Sequence, residues 1–320
     1  AFAKAAPGPF IEPLSMYVAA LRGGNVAEVA TALMRIGRAH YGAKEPARAI
    51  ASFEGGVPFA EEAGDHQFVA NLLGNIAKIH RQMGNPAKSV SFFQRSRDKH
   101  DEAGNAQHVV SMERELATTY AMMGETAKAV ESNERARVIL ERLGDKAGVA
   151  AVVINSGVYL VQSGDHSKGL TFLERGLALA EEAGHKQWMA NALKTMGLVL
   201  TRLSDYEKAM SAYERAFALS EALGDEGGAA ELLSDMGALH GRQGRYDEAL
   251  DHHERARVAA TAAGDDVVAT RALSNMGLVY LERGEFAKAL SIWEGTLPVW
   301  ESLGDKLAAA GALLNIAAVY

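Results

Sequence analysis

"LSNMGLVYLERGEFAKALSIW", residues 273–293, is the stretch on which the fold turns. Leu273, Met276, Gly277 and Tyr280 fall at the spacing of one helical face. Gly284 breaks that run, and beyond it Ala289 and Trp293 stand one helical turn apart on a second face. Asn275 resists this pattern, because its helix propensity is poor and it has no evident local role.

Outward from this stretch the same letters return every 40 residues. Gly24, Gly64, Gly104, Gly144, Gly184, Gly224, Gly264 and Gly304 keep that register without a miss. With 32 glycines in 320 residues, the register marks an internal repeat and not chance. A polar residue follows each one: Asn25, Asp65, Asn105, Asp145, His185, Asp225, Asp265 and Asp305. Glycine can take the left-handed conformation that closes a helix, and Asp or Asn then accepts from the free N–H groups that open the next. A second punctuation lies half a period on, at Gly84, Gly124, Gly164, Gly244 and Gly284, with Lys44 and Ser204 in the same slot. The spacing predicts a unit of two helices, each about 17 residues and roughly 25 Å long, and no strand-like alternation competes with it.

Within the second helix of each unit a small residue recurs, at Ala49, Ser89, Ala129, Gly169, Ala209, Ala249 and Ala289, where two backbones must approach closely. Four residues on, Phe53, Phe93, Leu173, Tyr213 and Trp293 fill the adjoining space, and Asn133 and His253 are polar exceptions. Met196, Met236 and Met276 repeat in the first helix as expected core.

Leu273, Met276, Gly277, Tyr280, Ala289 and Trp293 match in type and spacing the tetratricopeptide repeat signature, and the match recurs with drift across residues 25 to 320. The chain resembles the 40-residue form of that family, as in kinesin light chains, Pins-type adaptors and bacterial signalling regulators and ATPases. It departs from the 34-residue form by its extra length and by lacking the proline that usually closes the second helix. The resemblance implies an all-α, right-handed superhelical solenoid of antiparallel helix pairs whose first helices line the concave wall. It implies a binding mode and no reaction.

The expected organisation is an N-terminal lead and partial helix cap over 1–24, seven 40-residue pairs over 25–304, and the first helix of an incomplete eighth unit over 305–320. Pro7, Gly8 and Pro9 read as an extended or disordered lead, and Pro13 as the start of a helix. A solenoid usually ends in a capping helix with a polar outer face, so the end at Tyr320 reads as a fragment or as a surface that another chain covers. Pro298 and Trp300 interrupt the second-helix pattern of the last complete pair, as a bend or as an exposed contact patch.

Composition narrows the function classes. Hydrophobic residues make up 48% of the chain, enough for a large core, and the net charge is -7 with a pI near 5.8. That balance argues against a general nucleic-acid binder, and no apolar run is long enough to span a membrane. The absence of cysteine excludes disulfides, thiolate metal sites and a cysteine nucleophile. A cytoplasmic setting is the simplest reading, with export left open by the weak leader-like start "AFAKAAPGPF".

The position of Asn275 is polar in every unit: Arg35, Asn75, Glu115, Asn155, Thr195, Asp235, Asn275 and Asn315. Helical spacing places Arg271 and Asn275 on one stripe beside the packing face, and likewise Arg35 with Arg38, Asn71 with Asn75, Lys78 and Gln82, Asn191 with Thr195 and Arg202, and Asp235 with Arg242. By resemblance this stripe faces the inside of the superhelix. Amides there can pair with the backbone of an extended peptide, each bond contributing about 1 kcal/mol. Arg35, Arg38, Lys78, Arg81 and Arg114 make the N-terminal half of the stripe look basic, which favours a segment with acidic residues. The alternative is that these side chains bond to neighbouring helices and water.

Chemical motifs are missing. His40, His80 and His240 share a slot with Tyr120, Leu160, Leu200 and Tyr280, which calls for a packed side chain and no metal ligand. No phosphate-binding glycine loop, nucleophile elbow or H-E-x-x-H helix occurs. Pairs such as Glu61 and Glu62 fall at helix ends on expected solvent faces, where a general acid would not be desolvated. The reading is a non-catalytic adaptor or scaffold without cofactor or metal that binds a protein or peptide. The second reading is a sensing arm of a larger signalling enzyme or ATPase, and the third is self-association through the uncapped end.

Overall fold

The computed structural model describes residues 8–320, in which there are sixteen helices and no strand. They form two compact units that divide at Gly164. The first holds α1 (Gly8–Gly23), α2 (Val26–Gly42), α3 (Pro46–Glu62), α4 (His66–Gln82), α5 (Pro86–Glu102), α6 (Ala106–Met122), α7 (Thr126–Leu143) and α8 (Lys146–Gln162). The second holds α9 (His166–Glu182), α10 (Lys186–Arg202), α11 (Tyr206–Leu223), α12 (Glu226–Arg242), α13 (Tyr246–Ala262), α14 (Asp266–Glu282), α15 (Phe286–Leu303) and α16 (Lys306–Val319).

The corners are built as their letters demand. Every glycine of both registers has positive φ, between 63° and 92°, and Lys44 and Ser204 take φ of 60° and 63° in the same slot. After the full-period corner, the side chains of Asn25, Asp65, Asp145, His185, Asp225, Asp265 and Asp305 each accept from the backbone N–H three residues on. Asn105 makes no such bond. Donors that a helix start leaves without partners are thus satisfied by the residue that ends the turn.

Inside each pair the small residue and the bulky one behave as a lock. Ala49, Ala129, Ala209, Ala249 and Ala289 are wholly buried, as are Phe93, Leu173 and Trp293 one turn on. The indole of Trp293 packs against Gly277, donates Nε1 to the Ser274 carbonyl at 3.1 Å, and would meet a Cβ on Gly277 at 2.6 Å. Tyr213 stands against Gly197 in the same way. Glycine is required here by the close approach of a ring, whereas in the corners it is required by φ.

Three expectations change. α1 starts at Gly8 and not at Pro13, because Phe10 is buried and packs its ring 4.7 Å from that of His40, which anchors the first turn. Pro7 lies outside the described residues. α15 continues through Pro298, and Trp300 is neither at a bend nor exposed: it is 3% exposed, packs on Ala309 and Ala312 of α16, and donates Nε1 to the Ser274 hydroxyl at 3.3 Å.

Replacing Gly277 by Ala is expected to destabilise unit 2 by about 1–3 kcal/mol through overpacking on Trp293. Gly295→Ala, in α15 where a Cβ meets nothing, is expected to be neutral or stabilising by up to about 1 kcal/mol. Urea unfolding of the two variants followed by circular dichroism measures the difference.

Candidate functional site

The polar stripe forms a recess in each unit. In unit 2, α12 touches both α10 and α14, so the first helices of three successive pairs stand side by side. Between them lies a recess of about 310 Å³. Thr195, Asp235 and Asn275, three positions of one repeat slot, all line it, together with Lys194, Glu231 and Arg271. Glu231 takes both cations: Lys194 bridges to its Oε2, and Arg271 Nη1 lies 3.7 Å from its Oε1. Asp235 makes no ion pair among the described residues, and burial pushes its carboxyl up to about 6, opposed by Lys194 and Arg271 and helped by Glu231.

The floor of this recess answers the question that Asn275 poses. Asn275 Nδ2 donates to Ser234 Oγ at 3.1 Å, and Ser234 Oγ lies 3.2 Å from Nδ1 of the buried His253. Burial lowers the His253 pKa to about 4, with His252 adding to the shift, so the ring is neutral near pH 7. The relay is satisfied when Asn275 donates to Ser234 and Ser234 donates to an unprotonated Nδ1. Asn275 therefore braces the neighbouring helix and keeps its amide oxygen for the recess.

In unit 1 a polar recess of about 290 Å³ is lined by Ser111, Arg114, Glu115 and Thr118 of α6 and by Asn155 of α8. Glu115 is engaged by Arg81 at 2.6 Å and Lys78 at 3.7 Å. Thr118 shares a 3.0 Å hydrogen bond with Tyr159. Arg114 and Asn155 keep their side-chain polar groups free of ion pairs and hydrogen bonds from other described residues.

The expected basic face is thus narrower than its letters suggest. Arg35 bridges to Glu12 at 2.8 Å, and Lys78 and Arg81 are held by Glu115. Only Arg38 and Arg114 of that group make no ion pair among the described residues. Gln82 accepts from the Tyr41 hydroxyl at 2.6 Å. Asn71, Asn75, Asn191, Arg202, Arg242 and Asn315 line neither recess, and Asn71, Asn75 and Asn315 are half-buried.

Sequence reasoning missed one charged cluster. Glu113 is 2% exposed, and its Oε1 lies 2.9 Å from Arg135 Nε and 3.3 Å from Arg97 Nη1. Hydrogen bonding to Glu113 raises the Arg135 pKa further. The signal was present, since Glu113 stands in a column otherwise filled by Leu33, Leu73, Val153, Leu193, Leu233, Leu273 and Leu313. A buried carboxylate between two guanidiniums ties α5, α6 and α7 together, and loss of one partner is strongly destabilising.

With corners, helix pairs and stripe in place, the class is that of a helical repeat protein built for interaction. Models of the tetratricopeptide repeat match residues 28–102, 68–142 and 188–262, and a further one matches 270–294. The chain belongs to the tetratricopeptide repeat family, an all-α solenoid of antiparallel helix pairs. No curated protein sequence matches it. Among solved structures, BtubC from P. vanneervenii is 20% identical with a TM-score of 0.58, over 68% of this chain and 92% of that one. A signal transduction ATPase with numerous domains from Pyrococcus horikoshii, which carries a tetratricopeptide repeat sensor, is 16% identical with a TM-score of 0.61. That match covers 99% of this chain and 47% of the ATPase. A Rap protein complexed with Competence and Sporulation Factor is 14% identical with a TM-score of 0.52, over 97% of both chains. These likenesses establish the fold. No helix among the described residues is long and apolar enough to cross a membrane.

The two titrating groups near Asn275 give opposite pH signatures. His253 has a lowered folded pKa, so its contribution is present above pH 6.5 and is lost as the pH falls through about 4. Asp235 has a raised folded pKa, so its contribution is present below pH 3.8 and is lost as the pH rises through about 6. His253→Asn, which installs the side chain found at the equivalent Asn133, is expected to reduce the acid-side loss of stability by up to about 3 kcal/mol. Urea unfolding at pH 7, 5.5 and 4 measures it.

Proposed function

We propose that this chain is a non-catalytic interaction module that binds a peptide segment of a partner protein along its first-helix faces. The tetratricopeptide repeat fold supports an interaction role in general. The observation that carries the finer reading is the row formed by Thr195, Asp235 and Asn275 across three adjacent helices. Neighbouring helix axes are about 8–10 Å apart, so the row spans roughly 20 Å, the reach of about six extended residues. Asn275 offers the segment its amide oxygen, and Thr195, whose hydroxyl donates to the Asn191 carbonyl at 3.0 Å, offers its oxygen as an acceptor.

The acidic preference belongs to unit 1, where Arg114 stands beside Asn155 with its guanidinium uncommitted. In unit 2 Lys194 and Arg271 are balanced by Glu231 and Asp235, so that recess favours a polar segment without net charge. The structural match to the sensor-bearing ATPase supports a second reading, in which the same faces sense a partner on behalf of a catalytic part outside this chain.

Arrays of random decapeptides bound by the full chain test the proposal. Arg114→Glu is expected to weaken capture of Asp- and Glu-rich peptides by about tenfold, and Asn275→Ala to weaken a separate polar set by about fivefold. Unchanged capture by variants with unchanged circular dichroism would remove these residues from the mechanism.

A further inference from the structure

A second recess in unit 2 lies away from the polar stripe, between α11 and α13 at the start of α12, and measures about 630 Å³. Its apolar wall comes from Phe217, Leu233, Val258, Ala259 and Ala262, and Val258 is 53% exposed. Its rim carries Glu221, Asp225, Glu226 and Glu254 against the single cation Arg255.

Comparison with the preceding repeat shows how the recess arises. Forty residues earlier, Met189 and Leu219 occupy the slots of Ala229 and Ala259, so two large side chains have become methyl groups. The Ala229 slot holds Val29, Val69, Val109 and Val149 in the earlier units. In that preceding repeat Arg215 of α11 reaches across to Glu181 of α9 at 2.9 Å. Arg255 and Glu221 are the matching residues, yet Arg255 turns along its own helix to Asp251 at 3.6 Å, and Glu221 makes no ion pair among the described residues. The corner also changes sign, because His185 and Lys186 are replaced by Asp225 and Glu226. Lost bulk, a lost bridge and added acid therefore coincide at one repeat junction.

The geometry points to a second docking site here, for a partner segment that presents a bulky apolar side chain flanked by lysine or arginine. The volume is that of a ligand-sized pocket, in the range of about 300–1,000 Å³. The wall from Glu254 to Ala262 runs about 12 Å along α13, the length of two helical turns, which suits an amphipathic segment laid in a groove. Glu221 and Glu226, with no ion-pair partner among the described residues, supply the complementary charge for the flanking cations. This site is distinct from the polar stripe and does not depend on it.

Panning a phage-displayed library of random dodecapeptides on the full chain, followed by fluorescence anisotropy with the selected peptide, tests this. Sequences pairing Trp, Phe, Leu or Ile with Lys or Arg are expected. Ala229→Met with Ala259→Leu restores the side chains of the preceding repeat and is expected to weaken the peptide at least about tenfold while Tm holds or rises. Glu221→Gln with Glu226→Gln is expected to weaken it about fivefold at low salt, and Asn275→Ala to leave it unchanged. Absence of apolar and basic enrichment, or equal affinity in the folded, refilled variant, overturns the site.

Discussion

Each helix boundary within the repeats depends on one residue that accepts φ near +70° and on the residue after it. The left-handed residue reverses the chain without a loop, and at the full-period corner the next side chain usually takes the N–H three residues on. Because the turn is so short, the following helix has little choice but to lie antiparallel against its predecessor. The small residues at the Ala289 position and the ring against Gly277 then set how closely the two approach. Lys44 and Ser204 show that the corner tolerates a side chain, at a cost of about 1–2 kcal/mol each.

Repetition makes departures informative. Where a column is uniform, its residue serves stacking, and where one member departs, the local structure departs with it. Glu113 in a column of leucines recruits Arg97 and Arg135. His253 in the column of Trp293 recruits Ser234 and, through it, Asn275. Ala259, the smallest member of a column with Phe59, Lys99, Ile139, Leu179, Leu219 and Val299, lines a recess. The structural individuality of the chain lies in these exceptions.

Charge is the property that the repeat register conveys least. Residues 40 apart in sequence lie on adjacent first helices, so a cation of one unit is within reach of an acid of the next. Lys78 and Arg81 meet Glu115, and Lys194 and Arg271 both meet Glu231. A stripe that reads as basic is largely neutralised within its own chain, and of Arg35, Arg38, Lys78, Arg81 and Arg114 only Arg38 and Arg114 make no ion pair among the described residues.

The sequence by itself determined the helix pairs, their length, the corners and the core columns, because each rests on local conformational preference and a fixed spacing. It also placed Thr195, Asp235 and Asn275 on one stripe, and the structure gathers them in one recess. It misjudged the start of α1 and the setting of Trp300, where burial against another helix outweighed the local signals of Pro13 and Pro298. Only the tertiary structure decided which polar side chains are already satisfied: Asn275 bound to Ser234, Gln82 to Tyr41, and Arg114 left open. Those pairings depend on distances between helices that no spacing along one helix encodes.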